Sequence, residues 1–381
     1  MNSLINRKIK FFHIFSTFVP GGVQVRMSMI INALPEYFHH TIMAMDQRLD
    51  AKNLVHDDKV TVNYITPVRK ESPSFFTIPK LAKIIYSMVP DIVLTYNWGA
   101  IDAILAAKIC NFNKIIHMEA GFRPDEAEVP QKKRRILFRR FLFRHVSGVI
   151  VPSANLRGIA ENIWQIPRDK IIYIPNGVDC NRFSLRKTDE ARQELGIGNE
   201  TCIIGTVAHL REEKNIGLLI RSLAGIKTLI PPPHLIIVGD GPEKDGLMNL
   251  AEELGIKERI HFFGHHKDTP RYYQMMDIFA LSSKTEQMPV SVLEAMASGL
   301  PVLSTDVGDI RNMVDRENHA FIVPRENEPQ YQAALEQLIT NREKRSYLGM
   351  KNRHKCISEY RHDQMINAYH NLYRRVLANE R

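Results

Sequence analysis

Residues 277–308 decide the fold, and they read DIFALSSKTEQMPVSVLEAMASGLPVLSTDVG. The apolar run Ile278–Leu281 predicts a buried strand, and the polar residues after it predict a loop at the carboxyl end of that strand. Pro289 is tolerated in the first turn of a helix, whereas Gly299 suits the left-handed residue that follows a helix and Pro301 stops the helix. The order strand, loop, helix, strand is the repeating unit of an α/β protein with a parallel sheet.

Apolar and amphipathic runs alternate in this way along most of the chain. The apolar runs predict strands, among them Ile9–Phe15, Thr41–Met45 and Pro301–Ser304, with helix-period segments between most of them. The series breaks at residues 174–183, IPNGVDCNRF, where turn-forming residues precede a polar stretch, and a second series starts at Cys202. We therefore predict two α/β domains, each with a parallel sheet that is covered by helices on both faces.

The composition indicates a globular protein that favours anionic partners. The 381 residues carry a formal net charge of +9, which suits nucleotides, nucleic acid or an anionic membrane face. The four cysteines are scattered, with no C-x-x-C pair, so we expect no metal site and buried thiols in a reducing compartment. No secretory signal is evident, and no apolar stretch reaches the ~20 residues of a membrane-spanning helix. A soluble or peripheral cytoplasmic protein is therefore expected.

Two carboxylates frame the predicted helix in the quoted stretch. Glu286 lies in the loop, and Glu294 lies inside the helix predicted over Pro289–Ala297. A carboxylate accepts paired hydrogen bonds from vicinal hydroxyls, so each glutamate suits a sugar or a ribose ring. The free N–H groups of the helix start suit a phosphate or a sugar oxygen. The alternative interpretation is that both are surface glutamates of the kind that is favoured near a helix start.

A second candidate cluster is the stretch 205–220, GTVAHLREEKNIGLLI, which predicts a strand, a basic loop and a helix. Arg211 and Lys214 place two cations at the helix entry, where the helix dipole disfavours them, and this placement makes sense if they clamp a diphosphate. A solvated charged turn is the alternative. The loop with Gly21 and Gly22 after the first strand lets the backbone approach a ligand closely, although a plain turn fits it equally well.

Residues 286–302, EQMPVSVLEAMASGLPV, resemble the E-x7-E signature of the retaining glycosyltransferases of the family 4 type nearly residue for residue. The resemblance implies the GT-B fold, in which two Rossmann-like domains face a cleft. It also implies that Glu286 holds hydroxyls of the donor sugar and takes part in catalysis. Glu294 would hold the nucleotide ribose.

The same resemblance extends the donor site to other loops. Lys214 matches the lysine that neutralises the donor diphosphate, whereas the usual arginine position is occupied by His209, and Arg211 lies two residues further on. The stretch IHFFGH, which ends at His265, resembles the strand whose following loop holds the nucleotide base through backbone groups. Val290, at the helix start, completes the predicted donor site.

The N-terminal part resembles the family less closely. The loop with Gly21 and Gly22 resembles the glycine loop that lies near the donor phosphate and the acceptor. The family usually has a histidine directly before a glycine near the reacting centre, but here Ala120 has that position in the segment IIHMEAGF. His117 is the candidate for that catalytic role and shares one face of a strand with Glu119. The alternative is a histidine that packs at the end of the strand.

The resemblance implies a domain organisation and a reaction. We expect an acceptor domain over residues 1–175, a donor domain over residues 176–355, and a helix over residues 356–381 that packs back on the N-terminal domain. The implied activity is metal-independent, retaining transfer from a nucleotide-diphosphate sugar to a glycan or lipid-linked acceptor of the polysaccharide or lipopolysaccharide type, without a cofactor. No D-x-D motif is present, and the G-x-G-x-x-G fingerprint fails at Lys244. Two alternatives stay open, a nucleotide-sugar-binding protein without transferase activity and a UDP-sugar 2-epimerase.

A basic stretch forms a further candidate surface. Residues 131–146 read QKKRRILFRRFLFRHV, with seven Lys and Arg residues interleaved with apolar ones. On a helix these two kinds of side chain partly separate, as on a helix that lies on an anionic membrane surface. The alternatives are a helix that packs on its own sheet with a solvated basic face, and a nucleic-acid patch, for which no accompanying fold motif is present.

Overall fold

Parallel strands form two sheets, one in each of two units of the chain. The computed structural model describes residues 7–56, 58–66, 68, 76–121, 131–185, 192–227 and 229–378. The first unit comprises Met1–Pro175 and Met365–Arg381, and the second comprises Asn176–Gln364.

All strand pairs in both sheets are parallel. The first sheet has the order β3-β2-β1-β4-β5-β6-β7, and the second has the order β10-β9-β8-β11-β12-β13. The strands are β1 (Ile9–Phe15), β2 (Phe38–Ala44), β3 (Thr61–Ile65), β4 (Ile92–Tyr96), β5 (Ile115–Met118), β6 (Gly148–Val151), β7 (Ile171–Tyr173), β8 (Ile203–Val207), β9 (His234–Val238), β10 (Ile260–Gly264), β11 (Ile278–Leu281), β12 (Val302–Thr305) and β13 (Ile322–Val323).

Thirteen α-helices connect and cover these strands in the described residues. They are α1 (Gly22–Ala33), α2 (Thr77–Met88), α3 (Asp102–Ile109), α4 (Lys133–Leu142), α5 (Ala154–Asn162), α6 (Ile216–Gly225), α7 (Lys244–Glu253), α8 (Pro270–Met275), α9 (Val290–Ala297), α10 (Ile310–Met313), α11 (Glu328–Thr340), α12 (Arg342–Glu359) and α13 (His362–Ala378). Every residue of β4, β5, β6, β11 and β12 is buried, which is the pattern of parallel strands with both faces covered.

Helices cover both faces of each sheet. In the first unit, α1 and α13 share a core with one face, and α2, α3 and α5 share a core with the other. In the second unit, α8 and α9 pack on one face, and α6, α7 and α11 pack on the opposite face. The predicted fold class of two parallel-sheet α/β domains is therefore confirmed.

The C-terminal part of the chain differs from the sequence expectation in its helix boundaries. The final amphipathic stretch is divided at Tyr360, so its first residues belong to α12, and α13 starts at His362. The break between α12 and α13 contacts the first residues of the second unit. There the Val178 N–H donates to the Tyr360 carbonyl at 2.9 Å. Gly177 is required there, because a Cβ atom on it would come within 2.7 Å of the His362 Cα. Among the described helices, none is both long and apolar enough to cross a membrane.

Helix α13 allows a direct test of packing in the hydrophobic core of the first unit. The Tyr373 side chain of α13 is fully buried, and its ring lies 5.0 Å from that of Phe11 in β1. We expect Tyr373→Ala to lower the free energy of unfolding of the first unit by about 3–5 kcal/mol, because it leaves a large cavity. Both tryptophans of the chain, Trp98 and Trp164, lie in this unit, so their fluorescence during denaturant unfolding reports it selectively.

The matched control is Tyr86→Ala, because Tyr86 on α2 is 77% exposed. This substitution is expected to change the unfolding free energy by no more than about 0.5 kcal/mol. Equal midpoints for the two variants would contradict the packing described for α13.

Candidate functional site

The carboxyl ends of β8 and β11 bring together two charged residues of the predicted donor site. Lys214 ends a short 3-10 turn, Glu212–Lys214, that follows β8, and Glu286 lies in the loop between β11 and α9. The two strands are neighbours in the sheet, so these loops leave it side by side. The Lys214 Nζ lies 2.5 Å from the Glu286 Oε1, and both side chains are largely shielded from solvent.

Buried hydroxyls fix this ion pair. The Ser283 Oγ donates to the Glu286 Oε1 at 2.8 Å, and the Ser282 Oγ donates to the Lys214 carbonyl at 3.0 Å. The Thr305 Oγ1, at the end of β12, donates to the Ser283 carbonyl at 2.6 Å. Because all three hydroxyl-bearing residues are buried, the two loops are held in one geometry relative to each other.

Arg211 and His209, the two candidates for the second cation, occupy different surroundings from Lys214. The Arg211 side chain is 55% exposed and lies 3.4 Å from the Glu213 carboxylate. His209 is exposed, and its Nδ1 contacts the Asp240 carbonyl oxygen. Arg211 is therefore a surface cation in the same loop as Lys214, and its predicted role in the diphosphate clamp stays a prediction.

Glu294 lies on α9, the helix that follows the Glu286 loop. The Tyr273 Oη donates to the Glu294 Oε2 at 2.7 Å. Burial raises the pKa of Glu294 to about 7, whereas the hydrogen bond from Tyr273 and the positive charge of Arg182 act in the opposite direction. A carboxylate with such a perturbed pKa is typical of a functional site.

The structure places the other predicted donor residues at the same sheet edge. Val290 is the first residue of α9, and no acidic residue occupies the first turn of this helix. His265 is exposed and directly follows β10, two strands away from β8. Four predicted residues of the second unit, Lys214, His265, Glu286 and Val290, therefore lie at the carboxyl ends of its strands.

The predicted residues of the first unit lie in two environments. Gly22 begins α1, and a Cβ atom on it would meet no atom within 4 Å, so the start of α1 is open above this glycine. Gly21 precedes it with extended backbone, at φ −167°. His117, by contrast, is fully buried in β5, where its Nδ1 lies 2.8 Å from the Thr95 Oγ1 and its ring stacks on Phe143. Its catalytic role stays a prediction, and its buried position is that of a packed histidine.

A buried arginine is the feature that the sequence analysis missed in this unit. Arg139 of α4 is fully buried, and its guanidinium lies 4.7 Å from the ring centroids of both Trp98 and Trp164. Its Nε lies 3.4 Å from the Glu119 Oε2. The sequence pattern gave no reason to separate Arg139 from the other cations of the basic stretch, because helical periodicity cannot show which cation lies between aromatic rings and a carboxylate.

The remaining face of α4 is exposed. Leu137 is 61% exposed and Phe141 is 59% exposed, and they lie four residues apart, on one side of the helix. Lys133, Arg134 and Arg144 are exposed around them. The basic stretch therefore combines a buried anchor with an outer face that is both apolar and cationic.

Two family models match consecutive parts of the chain. Residues 20–182 match the model described as Glycosyltransferase Family 4, and residues 187–355 match the model described as Glycosyl transferases group 1. The two-sheet architecture is that of the GT-B fold, and the described site lies in its second domain. Together the two models cover most of the chain, and they support a glycosyltransferase of group 1.

Curated relatives and solved structures agree with this class. An uncharacterised glycosyltransferase of Methanocaldococcus jannaschii is 27% identical over 236 residues, which are 60% of this chain and 58% of the relative. The UDP-Gal:alpha-D-GlcNAc-diphosphoundecaprenol alpha-1,3-galactosyltransferase of Escherichia coli is 26% identical over 227 residues, 58% of each chain. The chain thus spans about half the length of these curated relatives. The crystal structure of HepE from Anabaena in complex with UDP superposes with a TM-score of 0.81 at 18% identity, over 96% of this chain and 99% of that one, and shows the fold alone.

Proposed function

We propose that the protein transfers a sugar from a nucleotide-diphosphate sugar to a glycan or lipid-linked acceptor, without a metal ion and with retention of the anomeric configuration. The observation that carries the proposal is the Lys214–Glu286 ion pair, which lies at the carboxyl edge of the second sheet in the segment that resembles the E-x7-E signature. A cation and a sugar-binding carboxylate are thereby adjacent, as a diphosphate sugar requires.

In the proposed mechanism, the donor diphosphate replaces the Glu286 carboxylate as the partner of Lys214. Glu286 then accepts hydrogen bonds from hydroxyls of the sugar, and Glu294 accepts them from the ribose. The bond between the anomeric carbon and the diphosphate oxygen breaks, and the nucleoside diphosphate leaves with the electron pair. The acceptor hydroxyl forms the new glycosidic bond and gives up its proton to the departing diphosphate oxygen. Lys214, with Arg211 as a second cation, stabilises the charge that develops on the leaving group.

The remaining predicted residues complete the donor site in this proposal. The N–H groups at Val290 hydrogen-bond the donor, backbone groups around His265 hold the base, and the open helix start at Gly21 and Gly22 approaches the phosphate. The names of the relatives favour a uridine nucleotide and a diphosphoprenol-linked acceptor, because one relative is named for both and a structural neighbour is described with UDP.

A second candidate function is nucleotide-sugar binding without transfer. The burial of His117 and the presence of Ala120 before Gly121 favour it, because no exposed histidine then occupies the position that the family uses near the reacting centre. A UDP-sugar 2-epimerase is distinguished by conversion of the donor without an acceptor.

The exposed face of α4 extends the proposal to the membrane. We propose that Leu137 and Phe141 enter the interface of an anionic membrane and that Lys133, Arg134 and Arg144 contact its headgroups. Such peripheral binding at the inner face of the membrane would bring the site to a lipid-linked acceptor.

The transferase proposal predicts that Lys214→Ala lowers kcat/KM by about a hundredfold, because one preorganised cation at the leaving group is lost. The measurement is the release of UDP from UDP-sugars with diphosphoundecaprenol-linked N-acetylglucosamine as acceptor, with and without EDTA. Lys257→Ala is the matched control, because Lys257 is an exposed lysine of the same unit that pairs with Glu252.

The outcomes separate the candidate functions. Release that requires the acceptor, persists in EDTA and falls by about a hundredfold in Lys214→Ala but not in Lys257→Ala supports the transferase. Donor binding without release identifies the binding protein, and donor conversion without an acceptor identifies the epimerase.

The membrane proposal predicts that the double variant Leu137→Ser, Phe141→Ser binds vesicles of phosphatidylglycerol and phosphatidylcholine about tenfold more weakly than the wild type, because two apolar anchors are lost. Vesicle co-sedimentation measures this. The control Tyr86→Ser removes an exposed aromatic residue from α2 and is expected to bind as the wild type does. Binding that is unchanged in the double variant, or equally strong to vesicles of phosphatidylcholine alone, would contradict the proposal.

A further inference from the structure

One hydroxyl group holds the Glu294 side chain. The Tyr273 Oη donates to the Glu294 Oε2 at 2.7 Å and also lies 3.3 Å from the Ser291 carbonyl oxygen of the same helix. Among the described residues, this is the hydrogen bond that fixes the Glu294 carboxylate. The second oxygen, Oε1, accepts no hydrogen bond from the described residues, and Glu294 is partly exposed. One oxygen is thus held by the protein and the other is available to a ligand.

The Tyr273 ring is fixed by the core. It is fully buried on α8, with the Phe279 ring of β11 stacked on it at 5.9 Å and the Phe183 ring packed edge-on at 5.5 Å. A hydroxyl on a ring that is packed in this way has a fixed position. The carboxylate that accepts its hydrogen bond therefore has one preferred orientation before any ligand binds.

We propose that Tyr273 is a positioning residue for the donor nucleotide, because its hydroxyl holds Glu294 with one oxygen free to accept hydrogen bonds from the ribose. The inference rests on the proposed function, in which Glu294 binds the ribose of a nucleotide-diphosphate sugar. Tyr273 acts through Glu294 and does not touch the reacting atoms.

The charge state of Glu294 makes the role of Tyr273 measurable. Burial raises the pKa of this carboxyl to about 7, and the Tyr273 hydrogen bond is the larger of the two influences that lower it, ahead of Arg182. On α12, which packs against α9, Arg353 donates to the carbonyls of Phe183 and Ala297, and the Cys356 thiol donates to the Leu293 carbonyl. On α8, Tyr272 and Arg271 contact each other. Tyr273 is thus the direct donor that favours the anion.

The sign of the pH effect follows from these groups. A ribose hydroxyl donates to a carboxylate, so nucleotide affinity is expected to rise with pH through about 7 in the wild type and then level off. Removal of the Tyr273 hydroxyl raises the pKa of Glu294 further. The rise in affinity then moves to higher pH. At pH 7 the wild-type carboxyl is about half ionised, so a rise of about one pKa unit weakens binding by about fivefold.

The experiment is isothermal titration calorimetry of the full chain with UDP, GDP, ADP and TDP between pH 6 and pH 9. The variants are Tyr273→Phe and, as a matched control, Tyr272→Phe. Tyr272 is the adjacent buried tyrosine, and among the described residues the hydroxyl that bonds to Glu294 is that of Tyr273 and not that of Tyr272. Glu294→Gln and the double variant Glu294→Gln, Tyr273→Phe close a double-mutant cycle.

We expect Tyr273→Phe to shift the pH profile and Tyr272→Phe to leave it unchanged. In the Glu294→Gln background, the contribution of Glu294 to the pH profile of nucleotide affinity is lost. Tyr273→Phe therefore no longer shifts that profile. A Tyr273→Phe profile that coincides with the wild-type profile would overturn the inference and leave the proposed function standing. A wild-type protein that binds none of the four nucleotides would overturn the proposed function, and the inference with it.

Discussion

The ion pair between Lys214 and Glu286 joins two loops that are 72 residues apart in the chain. It forms because β8 and β11 are neighbours in a parallel sheet, so the loops that leave their carboxyl ends meet at one edge. The buried hydroxyls of Ser282 and Ser283 fix the distance between the loops. A phosphate has the same sign of charge as the Glu286 carboxylate, so a donor can replace it without leaving the lysine unpaired. The geometry of this edge of the sheet therefore suits an anionic ligand.

The burial of Glu294 destabilises the ionised form of its carboxyl group. Its pKa of about 7 lies above the ordinary value of 4.5, so the folded protein binds this proton more tightly than the unfolded chain does. The stability contributed by this group consequently falls as the pH rises from about 4.5 to about 7. A residue that served only stability would not be expected at such a position. The Tyr273 hydrogen bond stabilises the ionised carboxylate and so offsets part of this loss of stability. It also fixes the orientation of the carboxylate.

Local sequence patterns predicted most of the strands, and they pointed to the charged residues Lys214 and Glu286. They failed where the position of a residue depends on side chains from other elements of the fold. The strand predicted at Thr41–Met45 is β2, and it begins earlier because His40 is buried beside His13, whose Nε2 lies 2.9 Å from the His40 Nδ1. Hydropathy treats this histidine as polar, yet burial lowers its pKa to about 3. Tyr273 and Arg139 were missed for the same reason, because their partners come from other elements. Lys214 and Glu286 were predicted because each lies in a motif, and the structure shows that they form an ion pair.

The most direct measurement for the donor site is the thermal stability of the second unit, followed by differential scanning calorimetry, across UDP-, GDP-, ADP- and TDP-sugars. The account predicts that one class of donor raises the Tm of the wild-type protein. It also predicts that the shift disappears in the double variant Lys214→Ala, Glu294→Ala. An equal shift in the double variant, or no shift with any donor, would contradict the placement of the donor at the carboxyl edge of the second sheet.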